Sequence, residues 1–238
     1  MVRTIFIEGK YSEKVLLSND MLNYLKGKKY HTLGLFASVQ FCQQFDSVKQ
    51  QLEKLSIKAA TSTAKRCAVE GQLLGCDCSS DALNLSRDVD AFLYIVDGNF
   101  HPLALAYGQN WNNVFKEIIC YNPKSNQFTV LSKKDVETNL KRYKGALTKF
   151  HSTGNIGVII SLKPGQEFYK KSLELEKKYT DKKFYYFVDN EVSFGQLENF
   201  NFIDVWVNTA CPRIALDDSE MFRKGVVNLK EVLRAEVF

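Results

Sequence analysis

The sequence has no long apolar run and no pattern of a secretory leader. Within its 238 residues there is no stretch of about 18 consecutive apolar residues, so no membrane-spanning helix is expected. The first residues carry Glu8 and Glu13 around a short apolar stretch, which does not suit a signal peptide. We therefore expect a cytoplasmic protein with no membrane partner.

Closely spaced cysteine pairs are also absent. The six cysteines are Cys42, Cys67, Cys76, Cys78, Cys120 and Cys211. None of them belongs to a C-x-x-C motif, so zinc-ribbon and ferredoxin-type sites are not encoded locally. A cytoplasmic chain keeps its thiols reduced, which argues against a disulfide framework. Any metal site must therefore be assembled by the fold from distant loops.

Charge is only weakly biased towards one sign. The formal net charge is +5, and the lysines cluster only briefly, as in residues 177–183. A basic face for RNA is one interpretation and a solvated surface is the plainer one. Because the chain has neither an aromatic-rich RNA-binding signature nor a dense basic stripe, we expect no direct nucleic-acid partner.

What the sequence does contain is an alternation of short apolar runs and amphipathic stretches, in two successive blocks. The first block predicts strands at 32–39, 91–98, 117–122 and 128–131, and helices near 41–55, 101–108 and 133–150. The second predicts strands at 155–162, 184–189 and 203–208, and helices near 166–178, 194–200 and 228–233. This alternation predicts an α/β fold of two similar domains, each with a small parallel sheet flanked by helices. We place the first, with an N-terminal arm, at residues 1–150 and the second at 151–238.

Polar side chains and cysteines occur together in three segments that are expected near the ends of strands. In a parallel sheet the carboxyl ends of the strands form the ligand-binding edge. Three segments are candidates there: 70–80 with Cys76 and Cys78, 96–102 with Asp97 and His101, and 207–218 with Cys211, Arg213, Asp217 and Asp218.

Cys211 is the most informative of these residues. An apolar run stops at Asn208, and Pro212, which has no N–H to donate, bars further strand pairing. Cys211 is thus expected where a buried strand opens into a loop. Thiolates brought together from separate loops favour zinc, copper(I) or an iron–sulfur cluster. For Cys67 and Cys120, burial as small apolar side chains is the favoured interpretation.

Four motifs occur in one order along the chain: GQLLGC followed by an acidic residue, AFLYIVDGNFHPLALA, GVIISLKPGQ and VNTACPRIALDD. Together they span roughly residues 30 to 220 and resemble the diphthamide-synthesis family, the 2-(3-amino-3-carboxypropyl)histidine synthases. The resemblance is closest to the archaeal, homodimeric form. It identifies the chain as a member of that family.

The resemblance implies a transferase with a [4Fe–4S] cluster held by three cysteines, one from each of three similar α/β domains. The open iron meets S-adenosylmethionine, and cleavage of its Cγ–S bond yields a 3-amino-3-carboxypropyl radical. This radical adds to C2 of a histidine in translation elongation factor 2, the first step of diphthamide formation. Carried over residue by residue, the second family cysteine corresponds to Cys76 and the third to Cys211.

Glycine turns and helix starts near these cysteines suggest a cleft for S-adenosylmethionine. Backbone N–H groups at such places can bind the methionyl carboxylate, and ordinary turn glycines are the competing interpretation. We expect a helix to begin at Gly165 and Gln166. The residues expected to line the cleft are Gly71, Gln72, Asp97, His101 and Gln166.

The family's first domain, with its first cysteine, has no counterpart here. A separate chain could supply the third ligand in a homo- or hetero-oligomer, which is the interpretation we favour. Cys42, in a strand-to-helix turn, or Cys78, two residues after Cys76, could replace it. The remaining alternative is a non-catalytic binding or partner subunit of such a synthase.

Overall fold

A computed structural model describes residues 9–77, 83, 89–98, 100–109, 115–163 and 166–234. The chain divides into two units, Met1–Val136 and Glu137–Phe238. The division falls in the first turn of a helix, Lys133–Ser152, whereas the boundary expected from the sequence lies near the end of that helix. The two units are described in turn.

The first unit is built around one sheet. Its strands are β1 (Thr32–Ala37), β2 (Lys58–Ala60), β3 (Ala91–Ile95), β4 (Ile118–Asn122) and β5 (Gln127–Leu131). Its helices are α1 (Asn19–Lys28), a 3-10 helix (Val39–Gln44), α2 (Phe45–Glu53) and α3 (Phe100–Gln109), and α4 (Lys133–Ser152) begins in this unit. The strand order is β2-β1-β3-β4-β5.

The predicted strands β1, β3 and β4 run parallel, as expected. So does β2, which the sequence did not predict, but β5 does not. It pairs antiparallel with β4, from Ile118 opposite Leu131 to Asn122 opposite Gln127. The prediction of an entirely parallel sheet was therefore wrong at this edge. The physical reason is the connection: the turn at residues 123–126 can close a hairpin but is far too short for a parallel crossover.

One face of the first sheet packs against α1 and α2. The inward side chains alternate along β1 and β3, with Leu33, Leu35 and Ala37 on the first strand and Leu93 and Ile95 on the second. Apolar residues of the two helices complete this core: Met21, Leu25, Phe45, Val48 and Leu52. The apolar spacing predicted the helix after β1 correctly, although its first turn is a 3-10 helix.

Two helices of this unit, α3 and α1, differ from what the sequence predicted. The helix predicted near residues 101–108 is α3, which continues to Gln109 with Gly108 buried inside it. Pro102 does lie in the first turn of α3, where its missing N–H costs little. No helix was expected at α1, which Ser18 caps by accepting the N–H of Met21.

The second unit contains a smaller sheet that is parallel throughout. Its strands are β6 (Asn155–Ser161), β7 (Lys183–Asp189), β8 (Val205–Asn208) and β9 (Gly225–Asn228). Its helices are the rest of α4, α5 (Tyr169–Ser172), α6 (Glu174–Lys178), α7 (Phe194–Leu197) and α8 (Leu229–Leu233), with 3-10 helices at Pro212–Ala215 and Asp218–Met221. The order is β7-β6-β8-β9, in which β9 was not expected from the sequence.

Trp206 on β8 is the centre of the second core. Its side chain is 1% exposed and its ring lies 5.0 Å, edge on, from that of Phe187 on β7. The neighbouring strand leaves room for it at Gly157, where an added Cβ would lie 2.3 Å from the indole. A glycine in the middle of β6 is therefore explained by packing.

Both sheets share one topology, which confirms the predicted fold class of two similar α/β domains. In each, the first strand of the sheet is followed by a neighbour on one side and then by a neighbour on the other. The direction of winding therefore changes between β1 and β3 and between β6 and β8. In open α/β sheets, ligands bind at the carboxyl ends of the strands beside such a switch point.

Asp90 fixes the opposite, amino-terminal edge of the first sheet, and its replacement by asparagine should lower stability. Its carboxylate accepts the N–H groups of Thr32 and His31 at 2.8 and 2.7 Å. These hydrogen bonds, with that of Thr32 the larger cause, lower the pKa of Asp90. Asp90→Asn should lose roughly 1 kcal/mol of unfolding free energy at pH 7, a modest value because the carboxylate is exposed to solvent.

The lowered pKa of Asp90 also predicts how the stability difference between wild type and Asp90→Asn changes with pH. Because the pKa is lower in the folded state, the stabilisation is complete above the unfolded pKa of about 3.9 and is lost as pH falls through the folded value. Urea unfolding should therefore show a difference between wild type and Asp90→Asn that shrinks below about pH 4. The exposed Glu167→Gln serves as a control. A difference that grows on acidification would contradict the assignment.

Within the described ranges, none of the helices combines the length and the apolar character needed to cross a membrane.

Candidate functional site

The segment that carries Cys76 lies over the carboxyl end of β1. Gln72 forms an isolated parallel bridge with Ala37, the last residue of that strand. Two backbone hydrogen bonds hold the bridge: Ala37 N–H donates to Gly71 O at 2.9 Å and Leu73 N–H donates to Ala37 O at 3.3 Å. Cys76 follows four residues after Gln72 and is half-buried. This places it at the switch-point edge of the first sheet.

Two glycines allow the segment to approach the rest of the unit closely. Gly71 has a φ of +74°, and an added Cβ would lie 2.1 Å from the ring of Phe45. At Gly75 an added Cβ would lie 2.2 Å from the ring of Phe100, the first residue of α3. Gly71 is therefore required by its positive φ and its close packing against Phe45. Gly75, the residue before Cys76, lies against the ring of Phe100 at the start of α3.

The buried side chain of Asp77 stabilises the same segment through hydrogen bonds. It is 2% exposed and its carboxylate accepts the N–H of Leu74 at 3.1 Å and the thiol of Cys67 at 3.6 Å. Burial, followed by the charge of Asp77, raises the pKa of Cys67 to about 12. Cys67 was expected to be a buried apolar residue; instead it is half-buried and donates a hydrogen bond beside Cys76.

Asp97 and His101 follow β3 at the same edge. Asp97 is exposed and pairs with Lys124 of the β4–β5 turn at 3.0 Å. It lines a cavity of about 150 Å³ that also includes Asn122 and Ser125. His101, the second residue of α3, is half-buried and lies edge to face with Phe100 at 5.4 Å. Both predicted residues thus lie on the connection that leaves β3, at the same edge of the sheet as the segment that carries Cys76.

Cys211 occupies the corresponding edge of the second unit. It follows β8 by three residues, is half-buried, and precedes the 3-10 helix that Pro212 begins. Thr209 attaches the start of the loop to the neighbouring strand, because its N–H and its hydroxyl donate to Ile159 O at 3.0 and 2.8 Å. Cys211 is therefore at the switch point between β6 and β8, as the sequence predicted for a strand-end residue.

The acidic and basic residues after Cys211 are tied to one another. Arg213 is 2% exposed and its guanidinium forms an ion pair with the carboxylate of Asp217. Burial, with Asp217 beside it, raises the pKa of Asp218. A buried arginine paired inside its own loop stiffens the turn that follows Cys211.

Gln166 does not begin a helix. It is half-buried, its N–H donates to Lys163 O at 3.0 Å, and the next helix starts only at Tyr169. Gly165 lies outside the described residues. The expected helix start was therefore wrong, because the N–H of Gln166 is bonded to Lys163 O and the helix begins only at Tyr169.

The same hydrogen bonds change the expected mode of ligand binding. The N–H of Gly71 donates to Ser62 O at 2.9 Å and that of Gln72 to Val69 O at 3.2 Å. With the N–H of Gln166 also engaged, these three backbone donors serve the turns themselves. The three backbone N–H groups are therefore not available to a ligand carboxylate in the way that the sequence suggested.

The other cysteines differ from Cys76 and Cys211 in environment. Cys42 is 7% exposed and Cys120 is 4% exposed, and burial raises the pKa of each to about 12. The Cys42 thiol donates to Ser38 O at 3.5 Å. Both are therefore held as neutral thiols in the core. Cys78 lies outside the described residues.

The cysteines are the right type of ligand for an iron–sulfur cluster, but the described residues do not form a complete set of ligands. Cys76 and Cys211 are half-buried thiols on loops at sheet edges, and cysteine sulfur is the usual ligand of iron–sulfur clusters. None of the described cysteines forms a disulfide. In the part of the chain that the structure describes, no three His, Cys, Asp or Glu side chains form a group that could hold a metal ion.

The fold and these edges define a protein of two α/β units of like topology, each with a half-buried cysteine beside its switch point. A sequence model of one family, described as "Putative diphthamide synthesis protein", matches residues 1–235. The chain belongs to this diphthamide synthesis family.

Curated relatives carry the name of one enzyme. The 2-(3-amino-3-carboxypropyl)histidine synthase of Pyrococcus horikoshii is 30% identical over 82% of this chain and 54% of its own length. Subunit 1 of the same synthase from Kluyveromyces lactis is 25% identical over 94% of this chain and 51% of its own length. The chain thus spans about half the length of the curated relatives it matches.

Solved structures agree with the family. The crystal structure of Dph2 from Pyrococcus horikoshii with a 4Fe-4S cluster is similar at a TM-score of 0.69 and 26% identity, over 91% of this chain and 62% of that one. A second crystal structure of Dph2 from this organism gives a TM-score of 0.71 at 25% identity, over 94% and 64%. The cluster-containing relative shows that this fold can hold such a cofactor.

Proposed function

We propose that this chain works in a 2-(3-amino-3-carboxypropyl)histidine synthase, as the part that supplies Cys76 and Cys211 to a [4Fe–4S] cluster. The reaction would transfer the 3-amino-3-carboxypropyl group of S-adenosylmethionine to a histidine of translation elongation factor 2. The observation that carries the proposal is the position of the two half-buried cysteines beside the switch points of β1/β3 and β6/β8. The names of the relatives support it.

In this proposal the residues of the chain hold the cluster and orient S-adenosylmethionine. When bound, the cluster supplies the electron that cleaves S-adenosylmethionine, and the protein supplies position and shielding from water. Cys76 is presented by the turn that Gly71 and Gly75 permit, and Cys211 by the loop that Pro212 closes. Asp97 and His101, which follow β3, are assigned to the S-adenosylmethionine side of the site.

We place the third thiolate outside these 238 residues, on another polypeptide segment of a homo- or hetero-oligomeric assembly. Cys42 is the candidate within the described residues, but its side chain is in the core, where burial raises its pKa to about 12. Making it a ligand would require removing a buried thiol from its packing. Because the assembly acts on elongation factor 2, we also propose that it works in the cytoplasm.

The test is anaerobic reconstitution of the chain with iron and sulfide, with and without a candidate partner that carries the family's first domain. Iron content, visible absorption and modification of elongation factor 2 are measured. The proposal expects a brown, active complex only when the partner is present. A complex that assembles, stays colourless and leaves the factor unmodified would instead indicate a non-catalytic binding subunit.

Gln166→Ala should weaken binding of S-adenosylmethionine to the reconstituted complex without loss of its cluster absorption. The amide side chain is expected to meet the polar methionyl end, since the backbone N–H of Gln166 is already used. Loss of one hydrogen bond to a charged group costs about 1.5–3 kcal/mol, or roughly tenfold or more in affinity. Calorimetric titration under anaerobic conditions measures it.

Gln196→Ala is the matched control, because it removes an exposed glutamine from α7 of the same unit. Its affinity should equal that of the wild type. Equal affinity in Gln166→Ala would remove Gln166 from the site.

A further inference from the structure

Two asparagines end adjacent strands beside Cys211. Asn208 is the last residue of β8 and Asn228 the last of β9, and the two are register partners. Their side chains are buried, at 2% and 5% exposure. Buried amides need partners for both their donors and their acceptor. Both asparagines find such partners in the loop that carries Cys211.

The Asn208 side chain holds the loop on both sides of Cys211. Its Nδ2 donates to Cys211 O at 2.8 Å, and its Oδ1 accepts the N–H of Ala210 at 3.0 Å. The same Nδ2 donates to Asn228 Oδ1 at 2.8 Å. The orientation of the amide is fixed, because its nitrogen faces two oxygens and its oxygen faces an N–H.

Asn228 completes the support from the next strand. Its Nδ2 donates to Pro212 O at 3.1 Å, so the pair binds backbone groups of residues 210, 211 and 212. Its own N–H donates to the Tyr143 hydroxyl at 3.0 Å, and that hydroxyl donates to Glu231 Oε2 at 3.2 Å. The loop is thereby connected to helices α4 and α8 of the same unit.

We propose that Asn208 and Asn228 are positioning residues that fix the backbone presenting the Cys211 thiol. This inference rests on the proposed function for its purpose, but the hydrogen bonds hold in the cluster-free protein. Each amide donates and accepts at the same time here. A carboxylate would face carbonyl oxygens, and an aliphatic side chain would leave them unpaired. Groups that orient metal ligands in this way control how firmly the metal is held.

The test uses Asn228→Leu, which keeps the size of the side chain and removes its hydrogen bonds. In the cluster-free chain, the alkylation rate of Cys211 by iodoacetamide should rise about tenfold, because the loop opens more often. The rate at Cys76 should not change. In the reconstituted complex, release of iron to a chelator should accelerate by a similar factor.

Val227→Ala is the matched control for a loss of stability alone. Val227 is fully buried, precedes Asn228 on β9 and leaves a cavity when truncated. It should lower the unfolding midpoint while leaving the alkylation rate of Cys211 near that of wild type. If Val227→Ala accelerates alkylation as much as Asn228→Leu does, the role of the asparagine is only structural and the inference is overturned.

The experiment separates this inference from the proposed function. A wild-type complex that never binds iron defeats the proposed function, yet the alkylation of Cys211 in the cluster-free chain still decides the positioning role. An unchanged alkylation rate in Asn228→Leu overturns the positioning role whatever the complex binds.

Discussion

Cys211→Ser and Cys76→Ser are each expected to abolish stable iron binding by the reconstituted assembly. A serine hydroxyl does not ionise in this pH range and is a poor ligand for iron, so each change removes one of the three proposed thiolate ligands. Iron should fall from roughly four atoms per cluster to near zero. Iron analysis and the visible absorption of the anaerobic complex measure the loss.

Cys42→Ser is the matched control. The thiol of Cys42 is buried and donates to Ser38 O, a bond that a serine hydroxyl can replace. Iron content should therefore equal that of the wild type if the third ligand lies on another segment. Stable, stoichiometric binding by this chain alone that is lost on Cys42→Ser would overturn that assignment. Loss on Cys78→Ser alone would give the third position to Cys78, and full iron in Cys211→Ser would contradict the ligand assignment itself.

The predicted strands were most accurate where the apolar run was long. β3 is apolar throughout, and β6 is apolar between Asn155 and Ser161. Both are buried on both faces, as central parallel strands are. β2 has only three residues, all at least partly exposed, so its pairing with β1 depends on the tertiary fold. The direction of β5 could have been predicted from the sequence. Residues 127–130 alternate polar and apolar side chains, and the few residues that separate them from the preceding strand fit a hairpin.

The site could be predicted only in part for a related reason. Cys76 and Cys211 belong to local motifs, so their places at the sheet edges followed from the sequence. Their supports come from far along the chain: Asn228 is 20 residues from Asn208 and Tyr143 is 85 from Asn228. One signal was present, since both β8 and β9 end in valine followed by asparagine. Only the register of the strands shows that these asparagines meet.

Gly71→Ala should cause the largest loss of stability among simple substitutions in the Cys76 segment. At a φ of +74° a side chain costs about 1–2 kcal/mol. The new Cβ would also lie 2.1 Å from the ring of Phe45, which is 6% exposed in the core, and such overpacking costs typically about 1–3 kcal/mol. The unfolding free energy should therefore fall by roughly 2–4 kcal/mol, measured in urea.

The same change at Gly27 should have the opposite sign. Gly27 lies inside α1, and an added Cβ there meets nothing within 4 Å. Gly27→Ala should raise the unfolding free energy by up to about 1 kcal/mol, because alanine favours the helix.

Because Gly71 O accepts the N–H of Ala37, relief of the overlap in Gly71→Ala must also displace the bridge that supports Cys76. Iron retention in the assembly should then fall in Gly71→Ala and stay unchanged in Gly27→Ala; a Gly71→Ala chain as stable as wild type would contradict the packing described for this turn.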